Sequence, residues 1–225
     1  MENRLLQQPR GDGVYMFVRF PTDNGTSVGV VAQTVVLARR AIHNIRGRFV
    51  GIARKIWDMS PTAQMEEAVV VFWFENIQDA KTFFVSDNRM KQPDFPAPAG
   101  HCEAWAVVRF YTPPNELAYS TFMISEAQLV RGTDYVTYKE HFARRFAQLL
   151  LEHDAQPFVV QSVGAEFLRR YFVPYDTIVT VHLFKDPAHL AEVMRDPRWS
   201  DLRDTQHTMA NERCSVFTID PRACP

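Results

Sequence analysis

The same order of predicted strands and helices occurs twice in the sequence, and this limits the folds that the chain can adopt. Residues 74–89 and residues 184–198 follow the same plan. In each, a β-branched run ends in Phe, an Asn or Asp follows two residues later, and a short helical segment leads to Asp-x-Arg. A duplicated unit of about 105 residues predicts two similar domains in one chain.

Each half has the pattern βαββαβ. Short runs rich in β-branched and aromatic residues predict strands, and apolar residues at spacings of three and four predict helices. Residues 112–116, Thr-Pro-Pro-Asn-Glu, separate the halves, because prolines interrupt regular structure. We therefore predict a first domain over residues 12–111 and a second over 117–221. The predicted strands are 14–20, 49–57, 68–74 and 104–111, then 117–125, 158–163, 177–184 and 213–219. Helices are predicted over 28–45 and 76–85 in the first half, and after Asp134 and Asp186 in the second.

The second half resembles the dimeric α/β-barrel superfamily in residues 134–138, 177–186 and 196–199. The likeness is closest to small single-domain members of unassigned function, and the Asp-Pro-Arg-Trp stretch is similar to NIPSNAP-type and EthD-type proteins. The resemblance implies an α+β fold in which two tandem ferredoxin-like βαββαβ units pack sheet to sheet as an intramolecular dimeric α/β-barrel. Such packing buries the apolar sheet face that helices leave uncovered.

Two facing sheets enclose an interior that can hold one small ligand. Members of the superfamily include cofactor-independent monooxygenases, polyketide cyclases, decarboxylases, lactone isomerases and haem-handling enzymes. The resemblance thus implies a barrel that binds a small, partly apolar substrate and can act as a cofactor-independent enzyme. The alternative is a non-catalytic binding or structural module with a filled pocket. A solvent-connected pocket with His182 or an arginine favours the enzyme, and an interior filled by Phe and Trp favours the module.

His182 is the candidate acid–base residue, because it is the one histidine inside a predicted strand, residues 178–184. Alternation places it on one strand face with Ile178 and Phe184. Facing the barrel interior, it could meet a ligand and exchange protons near neutral pH. Facing the helices, it would be a structural histidine that needs partners for its ring nitrogens.

Two arginines are candidate ligand contacts. Arg19 shares a strand face with Tyr15 and Phe17, and Arg109 shares one with Trp105. A guanidinium among aromatic rings can bind a carboxylate or phenolate, or it can extend to solvent from the end of a strand.

Tyr15, Phe72 and Tyr138 complete the predicted ligand set. Phe72 holds the position in the first half that corresponds to His182. Tyr138 belongs to the apolar stripe of a helix that begins after Asp134, so it is expected in the core.

Several classes of function are disfavoured. A formal net charge of −1 gives no overall attraction to nucleic acid or to an anionic membrane. No GxGxxG, Walker A, HExxH or CxxC motif occurs, so no metal and no nucleotide cofactor is expected. Three cysteines are typical of free thiols in the cytoplasm. The expected partner is a small apolar or aromatic molecule, bound by a monomer or homodimer.

Residues 25–29, Gly-Thr-Ser-Val-Gly, match the G-x-S-x-G pattern of a serine hydrolase. The nucleophile elbow of those enzymes turns directly off a strand, yet residues 21–24 separate this motif from the predicted strand. We therefore expect a loop in which Thr26 or Ser27 caps the following helix.

Overall fold

The first half contributes four strands and one helix to the described structure. The computed structural model describes residues 13–21, 42, 45–60, 67–86, 103–108, 119–159, 165–169 and 176–219. The predicted helix over 28–45 therefore lies almost wholly outside the described residues, whereas the predicted strands and the helix after Asn76 are confirmed. The elements are β1 (Val14–Pro21), β2 (Gly47–Asp58), β3 (Glu67–Phe74), α1 (Ile77–Ser86) and β4 (Glu103–Val108).

Three helices of the second half begin after an aspartate, and the sequence predicts two of these caps, Asp134 and Asp186. Asp134, Asp186 and Asp196 accept hydrogen bonds from the backbone amides of the first helical turns, at 2.8, 2.8 and 2.9 Å. No helix in the described ranges is long and apolar enough to cross a membrane. The elements are β5 (Thr121–Leu129), α2 (Tyr135–Tyr138), a π-helical turn (Lys139–Ala143), α3 (Arg144–Glu152), β6 (Gln156–Val159), β7 (Ala165–Arg169), β8 (Ile178–Phe184), α4 (Pro187–Val193), α5 (Pro197–Met209) and β9 (Ala210–Ile219).

The described strands form one nine-stranded antiparallel sheet in the order β6-β8-β5-β9-β2-β3-β1-β4-β7. The first-half strands run β2-β3-β1-β4 and the second-half strands run β6-β8-β5-β9, so each half has its second, third, first and fourth strands in that order. Two strand pairings join the halves. β2 pairs with β9, and β7, which the sequence did not predict, pairs with β4.

The sheet must curl, because consecutive strands form its two opposite edges. β6 and β7 are separated only by residues 160–164. Six residue steps from Val159 to Ala165 span at most about 21 Å. A flat sheet of this strand number would hold its edges roughly 38 Å apart at the usual strand spacing. The edges therefore approach one another, and the sheet encloses an interior.

Alternation along the strands sorts the buried side chains into three layers. One apolar cluster packs between the first-half strands and α1, and a second packs between the second-half strands and α2, α3 and α5. The third lies on the opposite sheet face and draws on both halves, so it forms the barrel interior. Its buried members are Tyr15, Phe17, Ala53, Val69, Val71, Trp105, Phe122, Ile124, Val179, Val181 and Phe217.

Candidate functional site

One end of the barrel interior holds a small apolar cavity of about 30 Å³. This volume corresponds to roughly one water molecule. Each half supplies four of the lining side chains, and four of the eight are aromatic. Several lining residues are half-buried, which places the cavity close to the surface. The lining consists of Tyr15, Phe17, Val50, Val71, Tyr119, Phe122, Leu183 and Ile219.

An aromatic layer closes the inner side of this cavity. The rings of Phe17 and Trp105 stack with their centroids 6.0 Å apart. Phe122 meets Phe17 edge to face at 5.6 Å and stacks on Phe217 at 5.6 Å. These offset and edge contacts are the favoured aromatic geometries. The layer draws on both halves and separates the cavity from the other end of the interior.

That other end holds an ion chain of alternating charge: Glu103, Arg19, Glu126, Arg213 and Glu67. Arg19 forms ion pairs with Glu103 and Glu126. Arg213 Nη2 lies 2.5 Å from Glu67 Oε1, and Arg213 Nη1 lies 3.7 Å from Glu126 Oε2. Burial alone would lower the pKa of the Arg19 guanidinium, but the carboxylates of Glu126 and Glu103 outweigh it and raise the pKa above its ordinary value.

A polar network lies on the helix-facing side of the second half, and Glu212 is its centre. Arg203 Nη1 and Gln206 Nε2 donate to Glu212 Oε1 at 2.7 and 2.9 Å, and Ser125 donates to the same carboxylate. Gln206 Nε2 also donates to the Tyr138 hydroxyl at 3.0 Å. Burial, reinforced by the Glu212 charge, raises the pKa of Tyr138 above its ordinary value, so the phenol stays protonated.

His182 faces the helices and does not reach the barrel interior. Its ring lies 5.3 Å from the Phe146 ring, and 5% of the residue is exposed. Nδ1 has no hydrogen-bond partner among the described residues. Burial, followed by the charge of Arg203, lowers the His182 pKa to about 3, so the ring is neutral near pH 7. This geometry favours the structural interpretation over the acid–base one.

The structure separates the predicted ligand residues. Tyr15 lines the cavity and Arg19 belongs to the ion chain, on opposite sides of the aromatic layer. Phe72 alternates with the interior positions of β3 and packs into the first helix-facing cluster. Tyr138 lies in the second helix-facing cluster. Neither shares the interior with Arg19, and Arg109 lies outside the described residues.

The sequence analysis missed the carboxylates of the ion chain. Glu67, Glu103 and Glu126 each stand in or at the start of an apolar strand, on the face that alternation directs inward. That placement was the available signal, because a lone glutamate on an apolar strand face needs a buried partner. Glu212 carries the same signal on β9.

No metal centre is found in the part of the chain that the structure describes. No group of three or more His, Cys, Asp or Glu side chains converges there. Cys214, the free cysteine in those ranges, is buried, and burial raises the pKa of its thiol well above the ordinary value. It is therefore a poor nucleophile. The G-x-S-x-G motif lies outside the described residues.

No protein-family model and no curated protein sequence matches the chain. Several solved structures match its fold. A "putative monooxygenase" from Fusobacterium nucleatum subsp. nucleatum is 8% identical, with a TM-score of 0.54 and 92% of each chain covered. A "putative chlorite dismutase" is 10% identical, with a TM-score of 0.52 and coverage of 95% of this chain and 96% of that one. An anthrone oxidase-like protein is 6% identical, with a TM-score of 0.51 and coverage of 95% and 94%.

The fold is that of the dimeric α/β-barrel proteins. It is α+β, with a curled antiparallel sheet and few helices, as these neighbours have. At identities of 6–10% the likeness concerns the fold alone, because one fold hosts many unrelated activities. The chemistry must therefore be argued from this chain's own residues.

Proposed function

We propose that this chain is an α/β-barrel that binds a small, partly apolar molecule at the cavity between its two halves. The cavity itself carries the proposal, because its lining comes equally from both halves and is mostly apolar. Ligand sites commonly form where two domains meet around an apolar surface. We expect the protein to act in the cytoplasm.

The architecture behind this proposal is a tandem pair of ferredoxin-like units, residues 12–111 and 117–221. The shared strand order of the halves supports it. A matched register does so too: Met16 lies opposite Phe72 in the first half, and Met123 lies opposite His182 in the second. The likeness to NIPSNAP-type and EthD-type proteins stays a prediction from sequence.

The cavity lining favours an apolar group over a water molecule. Tyr119 donates its hydroxyl to the Asp154 carbonyl at 3.0 Å, so that polar atom is already engaged. A buried water needs two to four polar partners, and the aliphatic side chains and phenylalanine rings that make up most of the lining provide none. A volume of about 30 Å³ admits a small group only. We propose that the apolar tip of the ligand enters the cavity while the remainder stays at the barrel mouth.

A second candidate is a structural barrel without a ligand. The aromatic layer favours it, because Phe17, Trp105, Phe122 and Phe217 fill the centre of the interior. In neither candidate does His182 act on a ligand in the cavity, since its side chain lies on the other face of the sheet.

Methyl-resolved NMR with toluene as the probe tests the proposal. Toluene should shift the methyl signals of Val50, Val71 and Ile219, and native mass spectrometry should detect a small molecule retained from expression. Leu183→Trp should abolish both effects by filling the cavity. Leu151→Trp is the matched control, because Leu151 is 39% exposed on a helix. If Leu183→Trp binds the probe like the wild type, the cavity is not the site. If the wild type itself gives no shift, the structural barrel is favoured.

A further inference from the structure

A row of three side chains crosses the sheet at the mouth of the apolar cavity. Arg48 on β2 lies opposite Trp73 on β3, and Trp73 lies opposite Tyr15 on β1. Residues that lie opposite one another on antiparallel strands direct their side chains to the same face of the sheet. Tyr15 lines the cavity, so the other two residues of this row belong to the same end of the barrel.

Trp73 continues the wall of the cavity toward the surface. It packs against the interior apolar cluster and is half-buried. Val71, two positions before it on the same strand face, lines the cavity. The backbone at Gly13 closes over the indole, because a Cβ built there would lie 2.4 Å from Trp73 Nε1. Only glycine permits this close approach, and it holds the indole ring in place at the mouth.

The guanidinium of Arg48 lies over the indole ring. Its Cζ is 5.0 Å from the centroid of the Trp73 ring, the distance of a cation–π contact. Arg48 is exposed, and Val50, two positions further along β2, lines the cavity. A guanidinium that stacks through its face keeps its five N–H donors along its edge. Engagement of one donor therefore leaves others for a ligand at the mouth.

The second half contributes an ion pair beside the same cavity. Lys185 Nζ lies 3.3 Å from Asp154 Oδ2, and the Asp154 carbonyl accepts the hydrogen bond of Tyr119, a lining residue. The ammonium offsets the charge of this carboxylate. This side of the mouth therefore does not strongly repel an anion that Arg48 attracts from the other side.

We propose that the ligand of the cavity is a small organic anion, in which an aromatic or branched apolar group carries a carboxylate. This inference rests on the proposed function of the cavity and adds the chemical class of the ligand. The apolar group enters the cavity, and the carboxylate accepts hydrogen bonds from the edge of the Arg48 guanidinium. Arginine matches a carboxylate in geometry as well as in charge. The same guanidinium repels a cationic ligand.

Methyl-resolved NMR titration with three probes that share a phenyl ring tests this inference: toluene, phenylacetate and 2-phenylethylammonium. The wild type should bind phenylacetate roughly three- to tenfold more tightly than toluene, a modest factor because water screens an exposed guanidinium. It should bind 2-phenylethylammonium more weakly than toluene. Added salt should reduce the preference for phenylacetate and leave toluene binding unchanged, and this measurement requires no variant.

Arg48→Gln should lower the affinity for phenylacetate to that for toluene, whereas toluene, which has no polar group, should bind as before. Arg145→Gln is the matched control, because Arg145 is exposed on α3, in the helix layer that the sheet separates from the cavity. It should behave like the wild type. Equal affinities of the wild type for the three probes, or an undiminished preference for phenylacetate in Arg48→Gln, would overturn this inference alone. Binding of none of the probes would overturn the proposed function with it.

Discussion

The helix-facing layers of the two halves both bury one face of the sheet under helices, but they do so with different kinds of side chain. In the first half this layer is an apolar cluster, in which Phe72 lies opposite Met16. In the second half, His182 lies opposite Met123, and the Glu212 network is embedded beside it. One layer is held by volume and shape, and the other also by a closed set of buried hydrogen bonds.

The difference shows where polar groups are tolerated in this fold. The Glu212 carboxylate is fully buried, but it receives hydrogen bonds from Arg203, Gln206 and Ser125. The π-helical turn that follows Tyr138 lies beside this network. π-Helical turns are often found at functional sites. The helix-facing layer of the second half is therefore stable only while every hydrogen bond of the Glu212 network is formed, because each partner that is lost leaves another buried polar group without a hydrogen bond.

The largest effect is expected from opening the polar network at its centre. Glu212→Ala leaves Arg203, whose side chain is 8% exposed, without its carboxylate. Breaking a buried pair in this way typically costs about 3–5 kcal/mol of the free energy of unfolding. Urea denaturation measures it. Glu140→Ala, which removes only an exposed pair with Arg144, should cost less than about 1 kcal/mol. A loss below that level for Glu212→Ala would mean that the network contributes little.

A histidine at position 72, which corresponds to His182 in the second half, should destabilise the protein nearly as much as Glu212→Ala. Phe72 packs against Phe83 at 5.2 Å, within the apolar cluster between the first-half strands and α1. Phe72→His removes apolar area and buries an imidazole, at a cost of about 2–4 kcal/mol at pH 7. Phe72→Leu removes area alone and should cost about half as much. Equal losses for the two variants would show that the first layer accepts polar groups.

The reverse substitution, His182→Phe, should change the pH dependence of stability. The His182 pKa is about 3 in the folded protein, below its ordinary value of 6.5. The unfolded chain therefore binds the proton first, and stability from this group, complete above pH 6.5, falls as the pH is lowered. Between pH 7 and pH 5 the loss is about 2 kcal/mol.

His182→Phe should remove this portion of the pH dependence. Urea unfolding at the two pH values measures it, and His141→Gln, at an exposed helix position, is the control that should behave like the wild type. If His182→Phe loses as much stability as the wild type at pH 5, the ring is protonated in the folded protein after all.

The smallest effect is expected at the edge of the network. Tyr138→Phe removes the hydroxyl that accepts from Gln206 Nε2 at 3.0 Å, while Gln206 keeps its bond to Glu212. One neutral hydrogen bond contributes about 1 kcal/mol. Tyr135→Phe, at a residue 38% exposed, should be neutral in the same thermal and urea measurements. A larger loss for Tyr138→Phe would show that the phenol also donates a bond.

Local signals in the sequence were sufficient for most strands and for the helix starts. The strands that contain Phe72 and His182 are confirmed. They could be predicted because apolar runs and turn residues are local features of the sequence. Which face of β8 turns inward was not predictable. One face of β8 carries Ile178 and Phe184, and the other carries Val179 and Val181. Both faces are apolar, so the local sequence does not show which face packs against the helices and which faces the barrel interior.

The partners of Arg19 could not be predicted for a different reason. Its strand face with Tyr15 was predicted correctly, yet Glu103 comes from a strand 84 residues away. Such pairings depend on the strand order, and the strand order depends on how the sheet closes. The edge strand β7 was missed on the same ground, since its pairing with β4 is entirely long-range.

Closure of the barrel within a single chain has a consequence for how it can change. A barrel assembled from two identical subunits presents every substitution twice, once on each side of its symmetry axis. Here consecutive strands, β6 and β7, reach the two edges of one sheet, so each position occurs once. A histidine opposite Met123 does not impose a histidine opposite Met16. One half is thus free to keep a plain apolar layer while the other acquires polar groups, and the pairing of the halves requires no second molecule at any concentration.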